Sequence, residues 1–378
     1  MIRHDQGSGA GGMPPLLQPL ELGDLSLPNR VVMAPVTRAR ATNADLVPTD
    51  LHAAYYGQRA TAGLIIAEGA WVSERAIGFG NVPGIYSEPQ VDAWCRVTNV
   101  VHALGGRIML QLWHAGANSH PDLLGGALPA GPSAINPLES CHTATGRQET
   151  LTPREMTIAE IENTIADYRV AAENAHCAGF DGVEIAANGT YLLAQFLNPR
   201  LNRRTDGYGV RDRLLLDIVD AVSAVWRGRR VGVRLSPYWT VADRSGSGQP
   251  REEYHYTADE ETLSEFDGLV AALNERPVAY LHLRGRALGA YPDLDAIARY
   301  RKLFDGPLIA NHGFGRDTGN AIIDAGVADA VSFARHFIAN PDLVSRFALG
   351  QELARSDRRT HYSGGAEGYV DYDSARWR

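Results

Sequence analysis

The sequence predicts a closed α/β barrel of eight parallel strands, and three observations lead there. Eight short runs rich in Val, Ile, Leu and Ala recur along the chain, and segments with apolar residues at helical spacing separate most of them. No GxGxxG follows the first run, which argues against the competing open, doubly wound sheet. The length, 378 residues, exceeds an average domain but suits a single (β/α)₈ barrel with extensions.

The runs are NRVVMAPVT (29–37), GLIIAEGA (63–70), RIMLQLW (107–113), GVEIAAN (182–188), VGVRLSP (231–237), AYLHLRG (279–285), GPLIANHG (306–313) and AVSFAR (330–335). Continuous apolar runs of this length suit parallel strands covered on both faces. Between them, TIAEIENTIADYRVAAENAHCAGF has helical spacing and stops near Gly179, and RDRLLLDIVDAVSAVWRG, DEETLSEFDGLVAALNE and the shorter TGNAIIDAG behave alike. Residues 114–155, polar and rich in Pro and Gly, read as an excursion capping the barrel mouth after the third strand. Residues 238–258 read as a mobile loop after the fifth. Residues 1–14 are Gly-rich with no apolar signal core, which suggests a flexible leader, with the barrel occupying 15–378.

Composition narrows the function. Apolar residues make up 44% of the chain, enough for one large core. The net charge of -8, without a Lys/Arg-rich stripe, argues against nucleic acid or an anionic membrane as the main partner and leaves a small molecule. No apolar run is long enough to span a bilayer. Cys95, Cys141 and Cys177 form no CxxC pair and no metal-like spacing with histidine, which fits a reducing cytoplasm and no metal centre.

In such a barrel the active site lies at the C-terminal ends of the strands. Those ends carry Pro35 and Thr37, Glu68 and Gly69, Gln111 and Trp113, Arg234, His312 and Gly313, and Ala334 and Arg335. A glycine turn after strand seven and an arginine at the end of strand eight suit a dianionic phosphate, through backbone N–H groups and a fixed guanidinium. Taken alone, Arg335 reads equally well as a paired structural charge. Gln111 both donates and accepts, as the pyrimidine edge of a flavin requires. Arg234 suits the side of that ring where negative charge builds on reduction, and Thr37 a ring carbonyl.

Together these residues resemble a family. NRVVMAPVTRARA, LIIAEGA, QLWHAG, AGFDGVEI, NRRTDGYG, RLSP, ARHFIANPD and HYSGGAEGYVDY are similar, in order, to motifs of the Old Yellow Enzyme family, over about residues 15–373. The resemblance implies an FMN-binding barrel reduced by NAD(P)H, with hydride passing from flavin N5 to the β-carbon of an activated alkene. It assigns Pro35, Thr37, Gly69, Gln111 and Arg234 to the isoalloxazine. His312, Gly313, Ala334 and Arg335 fall to the phosphate, with His312 and Ala334 standing where the family often has glycine. Trp113 and Tyr362 fall to the substrate pocket, and Tyr191 to the proton donor.

One departure matters. The family usually reads Glu-Ile-His-x-x-Asn/His-Gly-Tyr at strand four, whereas this chain reads Glu184-Ile185-Ala186-Ala187-Asn188-Gly189-Thr190-Tyr191. Without gaps, Ala186 and Gly189 occupy the positions that donate hydrogen bonds to a substrate carbonyl, and neither side chain can donate. Asn188 takes the role if the loop is shifted by one, and otherwise only turns the chain. His114 and the two long loops are further sources of an anchor. Three readings follow: a reductase with a rebuilt substrate anchor; a repurposed flavin enzyme acting as a desaturase, oxidase or redox-neutral biosynthetic catalyst; and a flavin-binding protein without turnover. The oligomeric state stays open.

Overall fold

The computed structural model describes residues 12–238, 259–285, 287–288 and 291–374. Its centre is a closed barrel of β1 (Val31–Met33), β2 (Leu64–Trp71), β3 (Ile108–Trp113), β4 (Gly182–Ala187), β5 (Val231–Leu235), β6 (Val278–Arg284), β7 (Leu308–Asn311) and β8 (Ala330–Phe333). Each strand pairs with the next in parallel, and β8 closes onto β1. Every apolar run expected from the sequence overlaps one of these strands. Almost every strand residue is buried, because the outer face lies under helices and the inner face packs on itself.

The outer layer is α1 (Asp50–Gly57), α2 (Glu88–Ala103), α3 (Ile158–Cys177), α4 (Leu192–Leu197), α5 (Arg213–Ser223), α6 (Glu260–Asn274), α7 (Leu294–Arg301), α8 (Arg316–Asp324), α9 (Arg335–Ala339) and α10 (Leu343–Leu349). The α3 helix shows how local sequence sets such an element. The Thr157 hydroxyl accepts from Glu160 N, and Glu160 accepts in return from Thr157 N. At the other end Gly179 adopts φ 82°, a conformation that ends the helix at no Cβ cost. Among the described residues no helix is long and apolar enough to cross a membrane.

Inside the barrel, polarity changes with height. The lower end is apolar, and a short hairpin absent from the sequence expectations, Leu20–Leu22 with Leu25–Leu27, packs Leu22, Leu25 and Leu27 against Val32, Leu64, Ile66 and Met109. The upper interior is polar. The capping excursion contains no long element. It holds a hairpin, Ser140–Thr143 with Gly146–Glu149, and a short ladder, Ala130–Gly131 with Arg154–Glu155. Gly80 N donates to His142 O at 3.0 Å and so pins the hairpin beside the loop after β2. Of the loop expected at 238–258, all but Tyr238 lies outside the described residues, as do residues 1–11 of the leader.

Candidate active site

Six consecutive strands each contribute one inward polar side chain near the mouth: Gln111, Glu184, Arg234, His282, Asn311 and Ser332, all buried. Such groups persist inside a barrel only when they satisfy one another. Gln111 Nε2 donates to Glu184 Oε1 at 2.8 Å, and Tyr280 OH to Glu184 Oε2 at 3.2 Å. His282 Nδ1 lies 2.8 Å from the same Oε2, while its Nε2 lies 2.7 Å from Ser332 Oγ. Asn311 Nδ2 donates to Ser332 Oγ at 2.8 Å, and Arg234 Nη2 donates to Asn311 Oδ1 at 3.1 Å.

Burial would raise the Glu184 carboxyl, but His282 and Arg234 outweigh it and hold the group below its usual range, so it stays ionised. Burial pushes His282 down against the opposing pull of Glu184. One carboxylate thus faces one guanidinium in the dry interior, and the network fixes the Gln111 amide and the Arg234 fork from below.

Above this layer opens a cavity of about 730 Å³. Ten of the residues singled out in the sequence line it: Pro35, Thr37, Gln111, Trp113, Asn188, Tyr191, Arg234, Ala334, Arg335 and Tyr362. Arg234 Nε is buried there without a hydrogen-bond partner among the described residues. Trp113 stacks on Trp71 (centroids 4.2 Å, 21°), and Tyr191 meets it edge-on (4.7 Å, 81°).

Five other expected residues stand off the wall. Gly69 lies behind Trp113: a Cβ there would come within 2.7 Å of the indole, so glycine lets the ring lie down. His312 and Gly313 form the turn after β7 with φ 91° and 82°. Burial first, then the charges of Arg284 and Arg335, hold His312 below the ordinary imidazole range, so three basic side chains converge at that end. Ala186 is 2% exposed and pairs in register with Arg234. Gly189 borders a small cleft that Ala187 and Asn188 also line. His114, offered as an alternative anchor, is structural: its Nδ1 accepts from Gly116 N at 3.0 Å, and burial, helped by Arg75, pushes it down to about 3. The sequence reading also missed Arg147, Arg284 and Arg358, all on the wall. Only Arg284, at a strand end, carried a signal that could have been used.

The profile of the NADH:flavin oxidoreductase / NADH oxidase family matches residues 15–354. The chain belongs to this family. It is an FMN-dependent oxidoreductase of the Old Yellow Enzyme type. It is 38% identical to 12-oxophytodienoate reductase 1 of Oryza sativa subsp. japonica over 98% of this chain and 96% of that protein. Against flavin oxidoreductase hxnT of Emericella nidulans the identity is 37%, over 96% and 98%. Among solved structures it is similar to morphinone reductase (TM-score 0.87, 41% identity, 96% of each chain). It is also similar to the old yellow enzyme homologue from Zymomonas mobilis (TM-score 0.86, 38% identity, 95% and 99%).

Within this Old Yellow Enzyme-type site the strand-four cluster brings Asn188 to the cavity wall. Side chains alternate along a strand, and Ala186 and Asn188 continue the inward parity of Glu184. Of the four residues 186–189, Asn188 alone lines the cavity, and its Oδ1 is buried without a partner among the described residues.

Proposed function

We propose that the protein reduces electron-poor alkenes, that NAD(P)H reduces its flavin, and that Asn188 and Tyr191 are the groups that act on the substrate. The observation that carries this reading is Asn188, which lines the cavity beside Tyr191 as well as the small cleft at Gly189, and whose Oδ1 is buried without a hydrogen-bond partner among the described residues. FMN fits the residues present. Arg234 Nε is an orphaned buried donor on the cavity wall, and Arg335 makes no ion pair among the described residues. Arg234, Thr37 and the Gln111 amide would hold the ring, and Arg335 with the turn at His312 and Gly313 would hold the phosphate. Bound FMN supplies the hydride through N5.

The chain's own part is then as follows. The Asn188 amide donates to the substrate carbonyl and draws electron density from the alkene. Amide oxygen and nitrogen exchange places by rotation, so the same residue accepts from or donates to a nicotinamide carboxamide. One amide thus serves both half-reactions in turn. The Tyr191 hydroxyl supplies a proton to the carbon next to the carbonyl. Trp113 holds the Tyr191 ring edge-on.

The test is anaerobic. NADPH or NADH should bleach the flavin of the purified holoenzyme, and a cyclic enone should restore its colour. A flavin that neither nucleotide reduces, yet that an enone reoxidises after photoreduction, would remove the nicotinamide from the scheme. A photoreduced flavin that no enone reoxidises would remove the alkene. Arg335→Ala should lower the FMN content read by mass spectrometry.

A further inference from the structure

We infer that Glu184 is a positioning residue for the cofactor: its buried negative charge opposes the Arg234 guanidinium and fixes the Gln111 amide, and so sets how readily the bound flavin takes up a hydride. The inference rests on the reading that FMN lies with its ring against Arg234 and Gln111, and not on which alkene is reduced.

Glu184 is fully buried and stands behind the cavity wall, whereas Gln111 and Arg234 stand on it. In the pairing of β4 with β5, Glu184 lies level with Gly232 and Ala186 with Arg234. The carboxylate thus sits one inward step below the guanidinium. Its neighbours are the Gln111 amide on β3 and Tyr280 and His282 on β6. Arg234 does not touch it, and donates instead to Asn311 Oδ1 at 3.1 Å. The charge is felt across the interior all the same. Among the described groups that act on Arg234, Glu184 is the only carboxylate, the others being the Tyr280 and Tyr191 phenols.

An ionised carboxylate only accepts, so the Gln111 nitrogen must face it. Gln111 Oε1 lies on the side of Gly69, where a Cβ would come within 3.2 Å of it. A turned amide would set its oxygen against the Glu184 oxygen, so the charge below dictates which atom Gln111 offers above. The effect on the ring is electrostatic. In the dry interior one negative and one positive charge balance, and charges there are weakly screened. Hydride uptake adds a negative charge on the side of the ring that Arg234 serves. Glu184 already balances that guanidinium, so the added charge is under-compensated. The carboxylate therefore makes the oxidised ring a weaker hydride acceptor and the reduced ring a better hydride donor.

The experiment compares FMN holoenzyme with Glu184→Gln and Glu184→Asp, each checked for FMN content and Tm. The readout is the flavin midpoint potential, measured without oxygen against a reference dye. Glu184→Gln keeps the shape and removes the charge. Its amide can still meet both neighbours, because an imidazole nitrogen and a phenol can each accept as well as donate. The reduction equilibrium should shift at least tenfold toward the reduced form, a rise of about 30 mV for a two-electron couple. Glu184→Asp keeps the charge and loosens the contacts, so its equilibrium should stay within threefold of wild type. A potential that rises alike in both variants is an effect of packing and overturns the inference. So does a glutamine enzyme whose potential matches or falls below that of wild type. If the glutamine chain does not fold, the aspartate enzyme decides alone: an unmoved potential supports the charge, and a raised one overturns it. FMN is also titrated into wild-type apoprotein. An apoprotein that takes up none overturns the placement of the ring itself, which the titration keeps separate.

Discussion

Asn188 and Gly189 differ by one position and by everything that matters to a side chain. Gly189 has φ 69°, and a Cβ there would lie 3.2 Å from the Tyr191 ring. Gly189→Ala should therefore cost about 1 kcal/mol in stability and slow the enzyme by disturbing the tyrosine. Asn188→Ala removes the amide from the cavity. It should lower the rate of flavin reoxidation by cyclohexenone about 100-fold, with bound FMN retained, as losing one preorganised donor does elsewhere. Stopped-flow reoxidation of both variants checks this; an Asn188→Ala enzyme as fast as wild type would exclude the amide. His312 presents the reverse case, a non-glycine residue at φ 91° where the family often has glycine. His312→Gly should relieve the strain and raise stability by about 1 kcal/mol, read as a higher Tm with FMN still bound.

At the scale of an element, β2 shows how one irregularity couples the barrel to its rim. The register of β2 on β3 slips between Ala67 and Gly69, so Glu68 bulges out of the ladder. Its carboxylate accepts from Arg38 N at 3.1 Å and from Tyr56 OH at 3.3 Å. Arg38 in turn donates to the carbonyls of His361 and Gly368, and Arg40 to those of Thr360 and Glu367. The segment carrying Arg358, His361 and Tyr362 is thus tied down by residues that follow β1. Burial raises Glu68 from 4.5 to about 7 against the pull of Arg38. A carboxyl raised on folding stabilises the protein fully below pH 4.5 and loses that contribution as pH climbs through 7. The loss is on the order of 3 kcal/mol at most. His52, 3.9 Å away and pushed down to about 4, works the other way. The difference between wild type and Glu68→Gln isolates the carboxyl: denaturation curves from pH 4 to 8 should fall more steeply for the wild type. Parallel curves would show that Glu68 ionises alike in both states.

For the whole molecule, the barrel separates stability from chemistry by height. The apolar lower interior, sealed by the hairpin at 20–27, holds the fold together, while the polar upper layer presents Gln111 and Arg234 to the cavity. The cofactor belongs to that upper half, so its removal should leave a folded but weaker protein. FMN added at one hundred times its Kd should stabilise the apoprotein by about 2.7 kcal/mol, a rise of several degrees in Tm. A Tm that does not respond to FMN would mean that the cavity does not take it.

The sequence alone determined the architecture and ten of the 22 residues that line the cavity. A parallel strand buried on both faces must be a continuous apolar run, so eight strands could be counted; barrel geometry gathers their ends at one mouth, so Thr37, Gln111, Arg234 and Arg335 could be named from position. Tertiary structure decided what depends on height and on distant segments. Whether residue 186, 188 or 189 meets the cavity turns on where the mouth begins relative to β4, and on a backbone angle at Gly189. The network from Glu184 to Arg234 needs the spacing between six strands. The arginines at 147 and 358 meet one cavity only because a hairpin and a C-terminal segment, more than 200 residues apart, close over the same barrel end. Local periodicity records which face of an element is dry; it does not record which remote chain will share that face.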